Sequence, residues 1–223
     1  MIKINKGREP KELIAYKQLP NAAYEEMTSE LKTIILDSLL KEQGHLCAYC
    51  MRRIPETRKL PPGVPGATIE HWFARNPDSK EDHGQGLDYN NMLAVCSGNR
   101  GCGDKRNLTC DAKRGNEVLK VDPRNADTIH NISYTADGRI KSEDPVIDED
   151  LNKRLNLNCE AVSLPENRKA VLNTLIADIR KKGSKGDIKH YCKRRIDMIK
   201  AMDDEKIPFV GIIIWWLEKH ANR

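Results

Sequence analysis

The chain has 223 residues, of which 39% are hydrophobic and 32% are charged, with a net charge of +5 and an isoelectric point near 8.8. This composition is polar but still globular, and it allows one domain or two small ones with a mildly basic surface. The first ten residues have no apolar signal core, and the longest apolar run, residues 209–217, is too short for a bilayer span of about 20 residues. We therefore expect a cytoplasmic protein rather than a secreted or membrane-spanning one.

The first half of the chain begins with short elements. Residues 1–4 are compatible with a short strand, and apolar residues at helical spacing predict a helix over residues 24–41. Residues 68–73 are typical of a strand and contain the adjacent titratable residues Glu70 and His71. Because strand side chains alternate between faces, one of this pair is expected to face solvent and the other a core, unless both have a chemical task.

The second half of the chain begins with strand patterns and ends with helices. Residues 118–123 and 132–142 are typical of strands, and the second run contains the Asp137-Gly138 turn of a hairpin. Apolar spacing predicts helices over residues 165–182 and 188–202, separated by a break at residues 183–187. The apolar run at 209–217 either closes this helical layer or docks on another chain, with Trp215 and Trp216 as anchors.

Seven cysteines in an expected cytoplasmic chain indicate metal ligation or burial rather than disulfides. Cys47 and Cys50 have the C-x-x-C spacing of a zinc knuckle, and Cys96, Cys102 and Cys110 follow within about 60 residues. A structural zinc takes four ligands, so one of these five thiols is surplus. Cys102 lies in a loop between glycines, whereas Cys110 directly precedes a helix-like segment. This favours a zinc site of Cys47, Cys50, Cys96 and Cys110, with Cys102 as the alternative to Cys110.

Several motifs in chain order resemble the zinc-stapled branch of the HNH endonuclease family. They are the C-x-x-C pair, Glu70-His71, Asn91 with Leu93 just before Cys96, and the segment CDAKRGN at residues 110–116. Further stretches, including residues 1–10, 67–75 and 148–158, resemble the PtuB-like HNH subunits of Septu and some retron-associated anti-phage systems. The resemblance implies a nucleic-acid substrate, with DNA favoured, and a hetero-oligomer with a PtuA-like ATPase subunit.

The resemblance also implies a fold and a division of the chain. The expected class is α+β, with a zinc-stapled ββα-metal nuclease core at residues 44–120. An N-terminal strand and helix arm at residues 1–43 would precede this core. A hairpin and a helical C-terminal region at residues 121–223, with a possible partner-binding role, would follow it.

Phosphodiester hydrolysis needs a base that removes a proton from water and a cation that stabilises charge on the phosphate oxygens. His71 can be neutral at cellular pH and act as the base, and a carboxylate at Glu70 suits Mg²⁺ or Mn²⁺. The resemblance assigns the same roles and makes Asn91 the residue that holds the loop carrying the base. It makes Asp111 the second metal ligand, where most members have His or Asn. Asn116 is the substitute ligand if the family motif aligns with this segment at a shifted position.

Two other functions stay open at the level of sequence. The chain could be a non-catalytic zinc module that binds nucleic acid or a partner, or an HNH ribonuclease acting on host or phage RNA such as tRNA. Seven basic residues surround the proposed site in sequence and are either phosphate contacts or ordinary solvated charges. They are Arg52, Arg53, Arg75, Lys105, Arg106, Lys113 and Arg114.

Overall fold

The computed structural model describes residues 1–55, 66–75, 86–182, 188–202 and 205–221. Within them, helices and two small antiparallel sheets alternate along the chain, so the fold contains both helix and sheet. The helices are α1 Lys11–Tyr16, α2 Ser29–Glu42, α3 Cys110–Arg114, α4 Ala126–His130, α5 Pro145–Glu149, α6 Leu164–Lys182, α7 Ile188–Lys200 and α8 Val210–Ala221. The strands are β1 Ala67–His71, β2 Met92–Cys96, β3 Ile132–Tyr134 and β4 Ile140–Ser142.

The N-terminal arm is helical, and the predicted strand at residues 1–4 is wrong. Ile4 donates one backbone hydrogen bond to Pro123 at 2.8 Å, but no strand ladder forms there. The short helix α1 was not predicted, and α2 begins at Ser29 rather than at residue 24. Its start is set by Thr28, whose side chain accepts a hydrogen bond from the Leu31 amide at 3.2 Å and so caps the first turn.

The first hairpin joins β1 to β2 in antiparallel register, with Glu70 opposite Leu93 and His71 opposite Met92. All five residues of β2 are buried, because α2 packs against both strands. The buried side-chain amide of Gln43 hydrogen-bonds to the backbone of Ala94 on β2. Its nitrogen donates to the Ala94 carbonyl and its oxygen accepts from the Ala94 backbone N–H, both at 2.8 Å. This contact attaches the end of α2, and the segment after it, to the hairpin.

The second hairpin, β3 with β4, forms at the predicted Asp-Gly turn. The predicted strand at residues 118–123 is wrong, since no strand is assigned there. Its backbone amides are satisfied by a side chain instead: Asp150 accepts hydrogen bonds from the Lys120 amide at 2.6 Å and the Val121 amide at 2.9 Å. A carboxylate therefore takes the place that a neighbouring strand would have filled.

The C-terminal helices α6, α7 and α8 match the predicted segments closely, while the predicted break at residues 183–187 lies outside the described residues. Helix α8 packs against α6, α7 and β3, which is the self-packing alternative for the apolar tail. Its Ile212 and Leu217 are fully buried, whereas Trp215 and Trp216 are half-buried. Docking of a partner on the remaining exposed face of α8 stays a prediction.

Buried apolar side chains from all parts of the described chain form one core, which includes Leu39, Leu93, Leu151 and Leu217. The boundaries at residues 43/44 and 120/121 stay predictions. None of the helices within the described part of the chain has both the length and the apolar character needed to cross a bilayer.

Candidate functional site

Four buried cysteine sulfurs meet beside the first hairpin. The Sγ atoms of Cys47, Cys50, Cys96 and Cys110 all lie within 4.8 Å of one another, and three of the pairs are separated by 3.8 Å. In a tetrahedral site with Zn–S bonds of about 2.3 Å, neighbouring sulfurs are about 3.8 Å apart. The cluster therefore has the spacing and the donor set of a structural zinc site and could hold this ion.

Local backbone geometry brings these four sulfurs together. Cys47 and Cys50 lie on a tight turn that is closed by hydrogen bonds from the Met51 amide to the Cys47 carbonyl and from the Cys47 amide to the Arg52 carbonyl, both at 3.0 Å. Cys96 ends β2 and Cys110 begins α3. Gly98 lets these two ends approach, because it has a φ of +60° and a Cβ there would lie 2.3 Å from the Thr109 carbonyl oxygen.

Cys102, the alternative ligand, lies away from the cluster. Its side chain is exposed, and its thiol donates to the Asp104 carbonyl at 3.0 Å within the same loop. The structure thus brings together the four cysteines that the spacing favoured and leaves Cys102 outside.

Replacing Cys102 with serine is expected to leave both zinc content and thermal stability at wild-type values. A hydroxyl can make the same local hydrogen bond, and an exposed surface substitution usually changes stability by no more than about 0.5 kcal/mol. Metal analysis of the purified protein and a thermal melt followed by circular dichroism measure both quantities. Loss of zinc in this variant would move the ligand assignment from Cys110 to Cys102.

Glu70 and His71 are both buried, so the expected alternation between solvent and core does not hold. The Glu70 carboxylate accepts a hydrogen bond from the Tyr49 hydroxyl at 3.0 Å and forms an ion pair with the Arg114 guanidinium. Burial raises the pKa of Glu70 to about 8; the Arg114 charge opposes this rise, and the Asp111 carboxylate adds to it. Two carboxylates thus lie close enough to influence each other.

The imidazole of His71 is held by two contacts. Its Nε2 lies 3.0 Å from the Gly86 carbonyl oxygen, and the ring of Tyr24 meets it edge-on with a centroid distance of 4.6 Å. A carbonyl oxygen only accepts hydrogen bonds, so Nε2 carries the proton and Nδ1 keeps its lone pair. Burial lowers the pKa of His71 below its ordinary value of 6.5, which favours this neutral form.

Asn91 lies directly before β2 and binds the segment that follows His71. Its side-chain oxygen accepts from the Phe73 amide at 2.8 Å, and its side-chain nitrogen donates to the Phe73 carbonyl at 2.9 Å. Its own backbone carbonyl accepts from the Trp72 amide at 2.9 Å. These three bonds hold Trp72 and Phe73, just after β1, against the residue that precedes β2.

Asp111 occupies the first turn of α3, directly after the cysteine that begins the helix. Burial is the main influence on the pKa of Glu70 and of His71, and the Asp111 charge acts on both in the upward direction. The structure therefore brings Asp111 to the same site, where its carboxylate forms an ion pair with the partly exposed Arg100. Asn116, the substitute ligand, is exposed in the turn after α3.

Five of the seven basic candidates have internal partners, and two of these five, Arg75 and Arg106, form ion pairs with Glu25 and Asp104. Arg52 donates to the Val162 carbonyl at 3.3 Å, Arg53 donates to the Gly44 carbonyl at 2.9 Å, and the Arg114 side chain is fully buried. Arg75, Lys105 and Arg106 are exposed. A phosphate-binding surface, if formed by this set, therefore uses the exposed members.

The sequence did not predict that Tyr24 and Gly86 contact the His71 imidazole or that Tyr49 contacts the Glu70 carboxylate. It also did not predict that Arg114 is buried. Only Arg114 had a usable signal. It lies three residues after Asp111 and four after Cys110, so all three share one side of a helix. The other contacts join segments that are distant in the chain.

Part of the chain is similar to a curated protein. No family model matches the chain. The chain is 31% identical over 121 residues to an Escherichia coli protein named "Retron Ec83 putative HNH endonuclease". The matched region covers 50% of this chain and 45% of that protein, so the chain spans less than half of the relative's length. The similarity supports a relationship between this chain and the HNH endonucleases.

Proposed function

We propose that the protein is a metal-dependent HNH endonuclease that hydrolyses phosphodiester bonds, with DNA as the favoured substrate. One observation carries the proposal: the imidazole of His71 has Nε2 bound to the Gly86 carbonyl, which leaves Nδ1 as a proton acceptor, and the Asp111 carboxylate lies close enough to act on both His71 and Glu70. The base and one carboxylate lie on β1 and the other carboxylate lies on α3; the four-cysteine cluster joins α3 to β2, the strand that pairs with β1. We take β1, β2 and α3 as the ββα-metal core of this family.

In the proposed reaction, His71 removes a proton from the attacking water through Nδ1. Its Nε2 hydrogen bond to Gly86 keeps the ring oriented and prevents that nitrogen from competing for the proton. The edge contact with Tyr24 restricts rotation of the same ring. The resulting base is neutral, oriented and partly shielded from solvent.

Glu70 and Asp111 would hold the catalytic cation, for which Mg²⁺ or Mn²⁺ is the expected choice because both prefer carboxylate oxygens. When bound, such an ion stabilises negative charge that develops on the phosphate and leaving oxygens. Two neighbouring carboxylates repel each other, which is one reason for the raised pKa of Glu70, and a divalent cation would favour the ionised form of both.

The proposed function is tested by incubating the purified protein with supercoiled plasmid, single-stranded DNA and total RNA. Each substrate is tested with Mg²⁺, with Mn²⁺ and with a chelator. The proposal expects cleavage that requires a divalent cation and is strongest on DNA. Cleavage of RNA alone would instead assign a ribonuclease, and binding without any cleavage would assign a non-catalytic zinc module.

Replacing Asn91 with alanine is expected to lower the cleavage rate about 10²-fold. The change removes both side-chain hydrogen bonds to Phe73, and a displacement of about 1 Å in a catalytic group can have an effect of that size. The initial rate of plasmid nicking measures it. The matched control is Asn90→Ala at the exposed neighbouring position, and equal rates in the two variants would remove Asn91 from the site.

We further propose a biological role as the nuclease effector of a cytoplasmic ATPase–nuclease anti-phage complex. The support is the resemblance to PtuB-like subunits and the word "retron" in the relative's name. The expected partner is a PtuA-like ATPase, and the expected assembly is a hetero-oligomer. Co-purification of an ATPase encoded beside this protein, followed by the cleavage assay with and without ATP, tests this role. Failure to form a complex would contradict the partner without affecting the proposed chemistry.

A further inference from the structure

Arg114 is a buried charged residue whose hydrogen bonds converge on one end of β1. Its Nη1 donates to the His71 carbonyl at 3.1 Å, and its Nη2 donates to the Trp72 carbonyl at 2.6 Å. Its Nε donates to the Glu117 carbonyl at 2.7 Å, just after α3. The guanidinium thus ties the backbone on both sides of the His71–Trp72 bond to the end of α3.

The same guanidinium also contacts the side chain of Glu70. Its Nη1 forms the ion pair with Glu70 Oε1 and lies 3.3 Å from the Tyr49 hydroxyl, which itself donates to Oε1. Both contacts end on one carboxylate oxygen, so they leave Oε2 free of these two donors. Arginine keeps its charge at all physiological pH values, so this arrangement does not depend on protonation of Arg114.

Burial of a charge is unfavourable unless hydrogen bonds and an opposite charge compensate for it. Arg114, which lies on α3, meets that condition with partners on β1, on the Cys47–Cys50 turn and in the segment just after α3. A guanidinium has a fixed planar fork of donors, so it sets the direction as well as the separation of these segments. Neutral apolar packing could join the segments but could not orient a carboxylate.

We propose that Arg114 is a positioning residue that sets Glu70 and His71, on β1, relative to Asp111, on α3. This inference rests on the proposed function, since it assigns a role to these residues in the same reaction. Arg114 does not contact the substrate. It holds the main chain of His71 and one oxygen of Glu70 in place, and so keeps the base and the carboxylates in a productive arrangement.

The test compares Arg114→Lys with the matched control Arg168→Lys. Arg168 is also buried, and its guanidinium donates to the Gly138 carbonyl at 2.6 Å and to the Leu157 carbonyl at 2.9 Å, in another part of the fold. Lysine keeps a buried positive charge but loses the planar fork. We expect Arg114→Lys to lower kcat about 10- to 100-fold with KM changed less than twofold, and Arg168→Lys to lower only the melting temperature.

A second readout needs no catalytic cation and no turnover. Long-range ¹H–¹⁵N spectra of the imidazole in the zinc-bound protein without Mg²⁺ or Mn²⁺ are expected to show the Nε2-protonated form of His71 in the wild type. Arg114→Lys is expected to shift these resonances, whereas Arg168→Lys is expected to leave them in place. An unshifted His71 together with an unchanged kcat in Arg114→Lys would overturn the proposal.

Other outcomes are also decisive. A raised KM with a changed salt dependence and an unchanged kcat would make Arg114 a phosphate-binding residue and overturn the proposal.

If Arg114→Lys does not fold, Tyr49→Phe decides, because it removes only the hydroxyl shared by Glu70 and Arg114. A lowered kcat at constant KM in Tyr49→Phe supports the proposal, and an unchanged kcat overturns it. The proposed function fails separately, if the wild-type protein does not cleave or if His71→Ala cleaves normally.

Discussion

Replacement of His71 by alanine is expected to lower the rate of phosphodiester cleavage by about 10²- to 10⁴-fold, the usual contribution of a general base. The imidazole is buried, its Nε2 is bound to the Gly86 carbonyl, and its Nδ1 is the nitrogen left to accept a proton. Alanine removes the acceptor but leaves the four-cysteine cluster untouched, so zinc content is expected to stay at the wild-type value. Initial rates of plasmid nicking and metal analysis of the same preparation measure the two effects.

The control for this variant is His190→Ala, at an exposed position on α7. It is expected to cleave at the wild-type rate. Wild-type cleavage by His71→Ala with zinc still bound would contradict the catalytic role of His71 and favour a nuclease site elsewhere. Loss of zinc in His71→Ala would indicate that the substitution disturbs the fold rather than the chemistry.

The pH dependence of cleavage provides an independent check on His71. A general base acts in its neutral form, and burial lowers the pKa of His71 below 6.5. The imidazole is therefore neutral above pH 6.5. At a saturating concentration of divalent cation, which keeps the Glu70 carboxylate ionised, the rate is expected to fall only as the pH decreases through the lowered pKa of His71. A bound divalent cation would oppose protonation as well and act in the same direction. A profile of kcat/KM whose acidic limb lies above pH 6.5 would contradict the assignment.

Replacement of Cys47 and Cys50 together by serine is expected to abolish zinc binding and the folding of the region around the first hairpin. Structural zinc in small sites contributes about 10–16 kcal/mol of apparent folding free energy at neutral pH. A domain of ordinary stability unfolds with only about 5–15 kcal/mol. The free energy lost with the ion is therefore comparable to the total free energy of unfolding of such a domain.

Metal analysis and thermal melts followed by circular dichroism measure this effect, and Cys102→Ser is the matched control. Cys102 is exposed and outside the cluster, so its serine variant is expected to keep zinc and the wild-type melting temperature. A Cys47/Cys50 variant that binds one zinc per chain and melts like the wild type would show that these thiols are not ligands. Nuclease activity should be lost with the zinc, because Cys110 begins the helix that carries Asp111.

Local signals in the sequence predicted much of the fold. Apolar spacing located α2, α6, α7 and α8, and the Asp-Gly pair located the second hairpin. The two strands that were wrong, at residues 1–4 and 118–123, have strand-like composition but find no strand partner. Strand pairing requires a second extended segment beside the first in the folded protein. Residues 118–123 have the Asp150 side chain there instead, and it accepts hydrogen bonds from the Lys120 and Val121 amides.

The sequence by itself determined the chemistry that this chain can offer: the C-x-x-C pair with two later cysteines, the adjacent acid and histidine, and the asparagine before Cys96. Residue type and short spacing are enough for that, since ligand preference and proton affinity belong to the side chains. Only the tertiary structure decided which thiols meet, which nitrogen of His71 is free and that Arg114 is buried. These outcomes depend on contacts between segments far apart in the chain, such as Arg114 with Tyr49, 65 residues away, and no local pattern encodes them.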